Sequence, residues 1–283
     1  MYRINIVGAG NVAYRMALFL QGAGHSVECV YARDIEKADK VVRALKRTRS
    51  NAIATTDIST LPQTDITIIA VSDNAIASVA SQLPHKSAFT VHTSGATPMS
   101  VLQEAGLQNT GVFYPLMTLS MNKDLDVGLV PFLIEASAPE GIEILRNITT
   151  SIKAEYKVCD STKRLQFHTA AIFTTNFLNY SLSLAYDIAS PDFTLLLPSA
   201  IESIRKAFLN TPAVSQTGPA RRGDTITIEK HKKILSEEKF REHLQVYEFL
   251  TDKIFKKYNP CELFRSVRLI QAGKASGIPV QYL

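Results

Sequence analysis

Two glycines near the start of the chain, Gly8 and Gly10, have the spacing of a phosphate-binding turn. They follow an apolar run over residues 3–7 that predicts a buried strand, and they precede a run over residues 12–21 that predicts a helix. In a dinucleotide site the first glycine permits the tight turn, the second lets the backbone approach the pyrophosphate, and a small residue such as Ala13 lets helix pack on strand. The residues predicted to contact the dinucleotide here are Gly8, Ala9, Gly10, Asn11 and Val12.

The end of the next predicted strand, over residues 25–31, indicates which dinucleotide binds. That strand runs out through Ala32 into Arg33, whereas an NAD site usually places Asp or Glu there to bond the ribose 2′-hydroxyl. A guanidinium suits a 2′-phosphate instead. Asp34 competes for the role, but it precedes a charged helical run over residues 35–48 and suits that helix's N-cap. We therefore predict NADP, and the alternative is a domain that has kept the fold without the ligand.

Polar residues follow two further predicted strands, over residues 65–72 and 88–92, at the strand ends where parallel sheets bind ligands. Their hydroxyl, carboxylate and amide groups suit a ribose and a nicotinamide ring, and Gly95 allows close backbone approach. The same residue types also suit turns and helix caps. The residues predicted to bind the cofactor here are Val71, Ser72, Asp73, Asn74, Thr93, Ser94 and Gly95.

The elements that position these residues alternate between strand and helix up to about residue 160. Additional strands are predicted over residues 51–55 and 111–113, and two more, over 129–135 and 155–159, could complete the sheet. This alternation predicts an α/β fold with a doubly wound, mostly parallel Rossmann sheet, followed by an all-α C-terminal domain.

The remainder of the chain has helical periodicity only. The predicted helices span residues 163–187, 193–210, 225–235 and 237–258, with a loop over 211–224 and an unassigned tail over 259–283. The apolar side chains of Phe173, Phe177 and Tyr180 exceed what one small helical domain needs to cover, so we predict a homodimer about a two-fold axis through this domain. At 283 residues the chain is long enough for two domains, predicted over residues 1–160 and 161–283.

Composition excludes several classes of protein. The chain is 46% hydrophobic and 20% charged, and its modest net charge of +5 is scattered, which argues against a nucleic-acid partner. The three cysteines share no short spacing, which argues against a disulfide framework and a metal site. No apolar run approaches the roughly 20 residues that span a bilayer, and the first strand leaves no room for a signal peptide. We therefore expect a cytoplasmic protein with a small-molecule substrate and no membrane partner.

Four stretches of the chain resemble those of a known family. They are residues 8–13, 91–96, 113–120 and 217–224, the last followed by His231. The family pairs a Rossmann-like domain with a helical "domain of unknown function 2520", and its members are described as candidate NADP oxidoreductases. The wider superfamily includes pyrroline-5-carboxylate reductases, deazaflavin-dependent NADP reductases, ketopantoate reductases and prephenate dehydrogenases. The resemblance implies hydride transfer and a helical domain that makes the dimer, but no substrate. Many members have His where this chain has Tyr114.

Hydride transfer to a carbonyl or imine requires a proton donor beside the accepting carbon. Histidine suits that role because its unperturbed pKa lies near neutrality. His168 and Asn176 lie on one face of the predicted helix over 163–187, either as a satisfied pair at a helix interface or as site groups. We predict that His168 is the donor and that Asn176 orients the substrate. Ser94 and Tyr114 are the alternative donors.

The loop before His231 carries Arg222 and Asp224. The two could pair, fix the loop and offer a guanidinium to an anionic substrate, or Asp224 could simply cap the following helix. We predict that Arg222 holds the anion, that His231 contributes to substrate contact, and that His168, Arg222 and Ser94 converge on one cleft. The expected function is an NADP-dependent oxidoreductase acting on a small polar carbonyl or imine substrate. The alternatives are a non-catalytic NADP-binding sensor or scaffold, and a pyrroline-5-carboxylate reductase-like enzyme.

Overall fold

The computed structural model describes residues 1–46, 50–122 and 125–259, and the chain divides into two compact units, Met1–Leu178 and Asn179–Leu283. Residues 260–283 of the unassigned tail lie outside the described residues. The strands are β1 (Arg3–Val7), β2 (Ser26–Tyr31), β3 (Ile53–Thr55), β4 (Ile66–Ile69), β5 (Phe89–His92), β6 (Thr110–Pro115), β7 (Phe132–Ala136) and β8 (Tyr156–Val158). The helices that accompany them are α1 (Asn11–Gly22), α2 (Ile35–Lys46), α3 (Ile76–Gln82), α4 (Ser100–Glu104), α5 (Pro139–Ser151) and α6 (Ser161–Thr174).

All eight strands form one sheet in the order β3-β2-β1-β4-β5-β6-β7-β8. Neighbouring strands are parallel except β6 and β7, which pair antiparallel with Tyr114 opposite Leu133. The predicted doubly wound, mostly parallel Rossmann sheet is confirmed, and the two strands predicted over 129–135 and 155–159 do complete it.

The β4 strand shows why the apolar runs mark this sheet. Its four residues are buried because helices cover both faces, and successive side chains point to opposite faces. Ile68 belongs to the core cluster that contains Met16 of α1 and Leu145 of α5. Ile69 belongs to the cluster on the other face, with Ile76 of α3. A strand covered on both faces needs a continuous apolar run, as the sequence has here.

The prediction of a single helix over residues 163–187 is wrong. Two helices replace it, α6 and α7 (Asn176–Ala189), with Thr175 between them at φ −124° and ψ −70°. The hydroxyls of Thr174 and Thr175 both donate to the Ala171 carbonyl, at 3.2 and 2.7 Å, and such bonds compete with helical hydrogen bonding. His168 and Asn176 therefore do not share the face of one continuous helix.

The division between the two units falls within α7, later than the boundary predicted after residue 160. The reason is that α6 packs on the first unit through Arg164 and His168, whose contacts with Glu135 and Tyr114 are described below. The first unit therefore contains every strand and also the helix that carries His168.

In its described residues the second unit contains helices joined by short loops and no strand. The prediction of a loop over residues 211–224 needs correction. The further helices of this unit are α8 (Leu197–Asn210), α9 (Pro212–Ser215), α10 (Pro219–Arg222), α11 (Thr225–Leu235) and α12 (Arg241–Tyr258). The predicted loop contains the two four-residue helices, each with proline in its first turn, where the fixed φ of proline suits a helix. Gly223, at φ +68°, ends α10 in the left-handed conformation. No helix in the described part of the chain has the length and hydropathy of a membrane span.

Candidate active site

Gly8 and Gly10 form the turn between β1 and α1, and the structure itself requires glycine only at Gly8. Gly8 has φ +127°, and a Cβ there would lie 2.2 Å from the carbonyl oxygen of Ala70. A Cβ on Gly10 would meet no protein atom within 4 Å, so that residue borders open space. Strain and crowding thus exclude a side chain at Gly8, whereas at Gly10 a side chain would clash only with a bound ligand.

The start of α1 fits an anionic group. Gly10 is the N-cap residue, no side chain caps the helix, and no acidic residue lies in its first turn. The first amides of a helix have no partner within it and carry partial positive charge, so they bind phosphates. Ala13 is fully buried, as close helix–strand packing requires. These residues fit the pyrophosphate of a dinucleotide.

Arg33 and Asp34 have separate roles at the end of β2. Asp34 Oδ1 accepts the Glu36 N–H at 3.0 Å, and its other carboxylate oxygen is 3.7 Å from the Lys37 ammonium, so Asp34 serves the start of α2. Arg33 is exposed and makes no ion pair with any described residue. Ala32 is buried, and its N–H donates to the Thr55 carbonyl at 3.1 Å. The guanidinium of Arg33 is therefore free to meet a phosphate.

The residues predicted after β4 and β5 differ in exposure. Ser72, Asp73 and Asn74 are exposed at a short 3-10 turn. Thr93 and Ser94 are buried, and the Ser94 hydroxyl oxygen accepts the N–H groups of Ala96 and Thr97 at 3.1 and 2.9 Å. The main role of the Ser94 side chain is thus to hold the turn that presents Gly95.

His92 holds the same turn from the strand side. Its Nδ1 accepts the Ser94 N–H at 3.1 Å, and the side chain is fully buried. Burial, and then the nearby Arg164 guanidinium, lower the pKa of His92 to about 4. The imidazole is therefore neutral at pH 7, which leaves Nδ1 free to accept.

Three of the predicted site residues meet in the first unit: Gly95, Tyr114 and His168. The Tyr114 hydroxyl lies 3.0 Å from His168 Nδ1, and the two rings meet edge to face with centroids 5.8 Å apart. A Cβ on residue 95 would lie 2.6 Å from His168 Nδ1 and 2.7 Å from Tyr114 Cζ. Both side chains therefore pack directly on the backbone of Gly95.

The hydrogen bond between these two rings fixes the orientation of the imidazole. Burial, and secondarily the Asp73 carboxylate, raise the pKa of Tyr114 above its ordinary value, while Arg164 opposes them. The phenol stays protonated, and because a phenolic hydroxyl can both donate and accept, it can bond Nδ1 in either tautomer of His168. Within the described residues Nε2 has no hydrogen-bond partner, and it is not buried. It is thus available to a substrate.

Arg164 and Glu135 complete the site, and the sequence analysis missed both. The Arg164 side chain is 1% exposed and forms an ion pair with Glu135 of β7. It also donates to the Thr97 carbonyl at 2.6 Å and to the Ser161 hydroxyl at 3.1 Å. The cluster ties α6 to the sheet and to the turn after β5. The available signal was the spacing of four between Arg164 and His168, which places both on one face of a helix.

The other predicted residues lie elsewhere. Asn176 is exposed in the first turn of α7, where its Oδ1 accepts the Thr175 hydroxyl at 2.8 Å. In the second unit, His231 Nδ1 lies 2.9 Å from the Tyr247 hydroxyl, a second edge-to-face pair of these residue types.

The predicted pair in the second unit is a loose one. The Arg222 guanidinium is exposed and 4.0 Å from Asp224. Asp224 caps α11 by accepting the Thr227 N–H at 3.0 Å and the Thr227 hydroxyl at 2.8 Å. Those bonds, more than Arg222, lower the pKa of Asp224. The capping alternative therefore describes this carboxylate better, and Arg222 remains largely free.

Comparison with known proteins identifies the family of this chain. Residues 3–93 match the family described as NADP oxidoreductase coenzyme F420-dependent, and residues 130–254 match the Domain of unknown function (DUF2520). BF3122 of Bacteroides fragilis, a candidate NADP oxidoreductase, is 31% identical, with a TM-score of 0.80 over 90% of this chain and 98% of its own. The chain belongs to this DUF2520 family of NADP oxidoreductase-like proteins. No curated protein matches it.

Two remoter structures share the fold of this DUF2520 protein. TM1727 of Thermotoga maritima is 21% identical, with a TM-score of 0.67 over 92% of this chain and 99% of its own. Pyrroline carboxylate reductase of Plasmodium falciparum, with NADP bound, is 12% identical, with a TM-score of 0.56 over 91% of this chain and 98% of its own. These two structures show the Rossmann fold alone, and the glycine turn described above lies within the residues 3–93 that match the NADP oxidoreductase family.

Proposed function

We propose that this chain is an NADP-dependent oxidoreductase that moves hydride to or from a small, polar, anionic carbonyl or imine substrate. The observation that carries the proposal is the Tyr114–His168 hydrogen bond against Gly95, in the same compact unit as the dinucleotide turn. Reduction of such a substrate needs a proton donor, with a free nitrogen, close to the nicotinamide.

The cofactor assignment follows from the start of α1 and from Arg33. The uncapped amides of α1 would hold the pyrophosphate, and the unpaired guanidinium of Arg33 would hold the 2′-phosphate. When bound, the nicotinamide supplies or accepts the hydride. The exposed polar groups of Ser72, Asp73 and Asn74 would meet the ribose hydroxyls.

Residues of the chain itself would transfer the proton. His168, in its doubly protonated form, would donate from Nε2 to the carbonyl oxygen or imine nitrogen of the substrate as hydride arrives at the adjacent carbon, and would be left as the neutral imidazole. Tyr114 would hold the imidazole orientation through its bond to Nδ1. In the second unit, we propose that Arg222 binds an anion, a role supported by its 64% exposed side chain and long contact with Asp224.

The test is a turnover assay with purified protein, NADPH and a panel of carbonyl and imine acids that includes pyrroline carboxylate, followed by loss of the NADPH absorbance band. We expect at least one substrate to be reduced, and His168→Gln to abolish its reduction while NADPH still binds. NADPH binding without turnover of any panel member would favour the sensor or scaffold alternative. Preference for pyrroline carboxylate would favour the pyrroline-5-carboxylate reductase-like alternative.

We also propose that the protein acts as a homodimer. Phe173, Phe177 and Tyr180 are 66%, 51% and 43% exposed, and several apolar side chains of the second unit are exposed as well, including 78% of Phe208. Exposed apolar surface of this extent is typical of an oligomer interface. Light scattering at micromolar concentration should give twice the chain mass, and a monomer would refute the proposal.

A further inference from the structure

The segment over residues 116–122, which follows β6 and is called the strap below, is fastened to the first turns of α1. Arg15 donates from Nε to the Ser120 carbonyl at 2.6 Å and from an Nη to the Met121 carbonyl at 3.0 Å. Asn11 Oδ1 accepts the Met121 N–H at 3.3 Å. The strap is therefore held by two residues of the helix whose N-terminus fits the pyrophosphate.

Besides these bonds, the Arg15 guanidinium lies 5.9 Å from the centroid of the Tyr14 ring. It is only 6% exposed, and it forms no ion pair with a carboxylate among the described residues. Burying a guanidinium is costly unless its donors are satisfied, and here strap carbonyls satisfy them. Leu119, 5% exposed, anchors the strap in the core, and the Leu116 N–H donates to the Pro131 carbonyl at 2.8 Å. The strap is thus fixed at both ends.

The sheet order determines which part of a dinucleotide the strap would meet. Strands β1, β4, β5 and β6 are parallel neighbours in that order, so their carboxyl ends lie along one edge. The strap starts at the end of β6 and returns to α1, past the side of β1 that carries β4 and β5. Arg33 follows β2, on the opposite side of β1. The 2′-phosphate end and the strap are therefore on opposite sides of the glycine turn.

We propose that Arg15 and Asn11 are positioning residues that hold the strap as a wall of the nicotinamide–ribose half of the cofactor site. This inference rests on the proposed function, because it assumes that NADP binds at the glycine turn. The strap offers exposed residues there, Met117 and Thr118, and the backbone groups around them. Loss of its anchorage should weaken the binding of the nicotinamide half of the ligand and leave the binding of the adenosine half unchanged.

The experiment compares NADPH with 2′,5′-ADP, which has the 2′-phosphate and lacks the nicotinamide half, by calorimetry on the full chain. Arg15→Met keeps the aliphatic stem and removes the donors. We expect it to weaken NADPH binding about tenfold, the effect of losing one to two hydrogen bonds, and to leave 2′,5′-ADP binding within about twofold. Arg15→Lys, which keeps one donor group, should give an intermediate loss. Arg33→Ala is the matched control and should weaken both ligands.

Three outcomes would overturn the inference. Equal weakening of both ligands in Arg15→Met would mean a general structural role, and unchanged NADPH binding would mean that the strap forms no wall. If Arg15→Met does not fold, Arg15→Lys decides, since an equal loss for both ligands there has the same meaning. If the unmodified protein binds neither ligand, the proposed function itself fails. That failure is distinguishable from failure of the inference about the strap, because it is seen without any variant.

Discussion

The hydroxyl of Tyr114 lies 3.0 Å from Nδ1 of His168, on the backbone of a residue that has no side chain. Tyr114 belongs to β6 and His168 to α6, so the bond joins the sheet to the helix that follows its last strand in the chain. Because Tyr114 engages Nδ1, the second ring nitrogen of the imidazole, Nε2, stays accessible. The arrangement separates orientation, which Tyr114 provides, from proton transfer, which His168 would perform.

Replacement of His168 by Gln should lower kcat by roughly 10²- to 10⁴-fold, the usual contribution of a general acid. Tyr114→Phe removes the orienting hydrogen bond and should cost less. Kinetics on the substrate found by turnover assay would measure both. His231→Gln tests the rival histidine, whose imidazole pairs with Tyr247 instead. Full activity in His168→Gln with loss in His231→Gln would transfer the donor role.

The glycines of the β1–α1 turn should respond differently to the same substitution. Gly10→Ala should fold normally, because its Cβ meets no protein atom, and should lose cofactor affinity because the Cβ enters the ligand's space. Gly8→Ala should destabilise the fold itself through strain and the clash with Ala70. Thermal unfolding and NADPH titration on both variants separate the effects, and normal NADPH affinity in Gly10→Ala would contradict the site.

Gly95→Ala should disrupt the Tyr114–His168 pair. The new Cβ would force His168 or Tyr114 aside, at a cost of about 1–3 kcal/mol in the free energy of unfolding. Urea unfolding measures that cost, and the turnover assay should show a larger loss than the stability change explains. Unchanged activity would mean that the Tyr114–His168 contact does not matter to catalysis.

Arg33 should determine the choice between NADPH and NADH. Arg33→Ala should remove most of the preference for NADPH, a loss of about 1.5–3 kcal/mol for a charge-assisted hydrogen bond. Titration of both cofactors against both proteins gives the number. Equal affinity of the unmodified protein for NADPH and NADH would refute the role of Arg33.

The buried ion pair between Arg164 and Glu135 should show strong coupling. Arg164→Met alone would leave Glu135 without its cation and should cost about 3–5 kcal/mol in the free energy of unfolding. The double variant with Glu135→Leu should recover much of that loss, because no charge then remains unpaired. Denaturant unfolding of the two single variants and the double variant completes the cycle, and simple additivity would contradict the pairing.

His92 should make stability depend on pH in a defined window. Its pKa is about 4 in the folded chain against an ordinary 6.5, so between those values only the unfolded chain binds this proton. Stability therefore falls as the pH drops from 6.5 towards 4, by about 3 kcal/mol in all from this residue. Unfolding measured at several pH values should show a flatter dependence in His92→Gln, and an identical dependence would refute the assignment.

The sheet and the glycine turn were predictable because each depends on short-range pattern. An apolar run marks a strand covered on both faces, and Gly8 with Gly10 marks the turn after the first of them. The break at Thr175 was not predictable in the same way, because the hydroxyls of Thr174 and Thr175 reveal their competition for the Ala171 carbonyl only in three dimensions.

Within the site, Tyr114 and His168 could be named from the sequence, but not their contact. Arg164 and Glu135 were missed because each is one of many charged residues, and only burial distinguishes them. Arg15 was missed for the same reason: its partners are carbonyls, which every residue has. Sequence pattern identifies elements and residue types, and long-range pairing of charges has to be observed.

The anchorage of the strap has a bearing on how this family could acquire new substrates. Arg15 and Asn11 contact only main-chain atoms of Ser120 and Met121, so of the strap side chains only the buried Leu119 is needed to keep it in place. Substitutions at the exposed Met117 and Thr118 could therefore change the side chains that the strap presents while its attachment stays intact. Such a segment can diversify by single mutations without passing through unfolded intermediates, and it is a natural place to direct a library that seeks altered specificity.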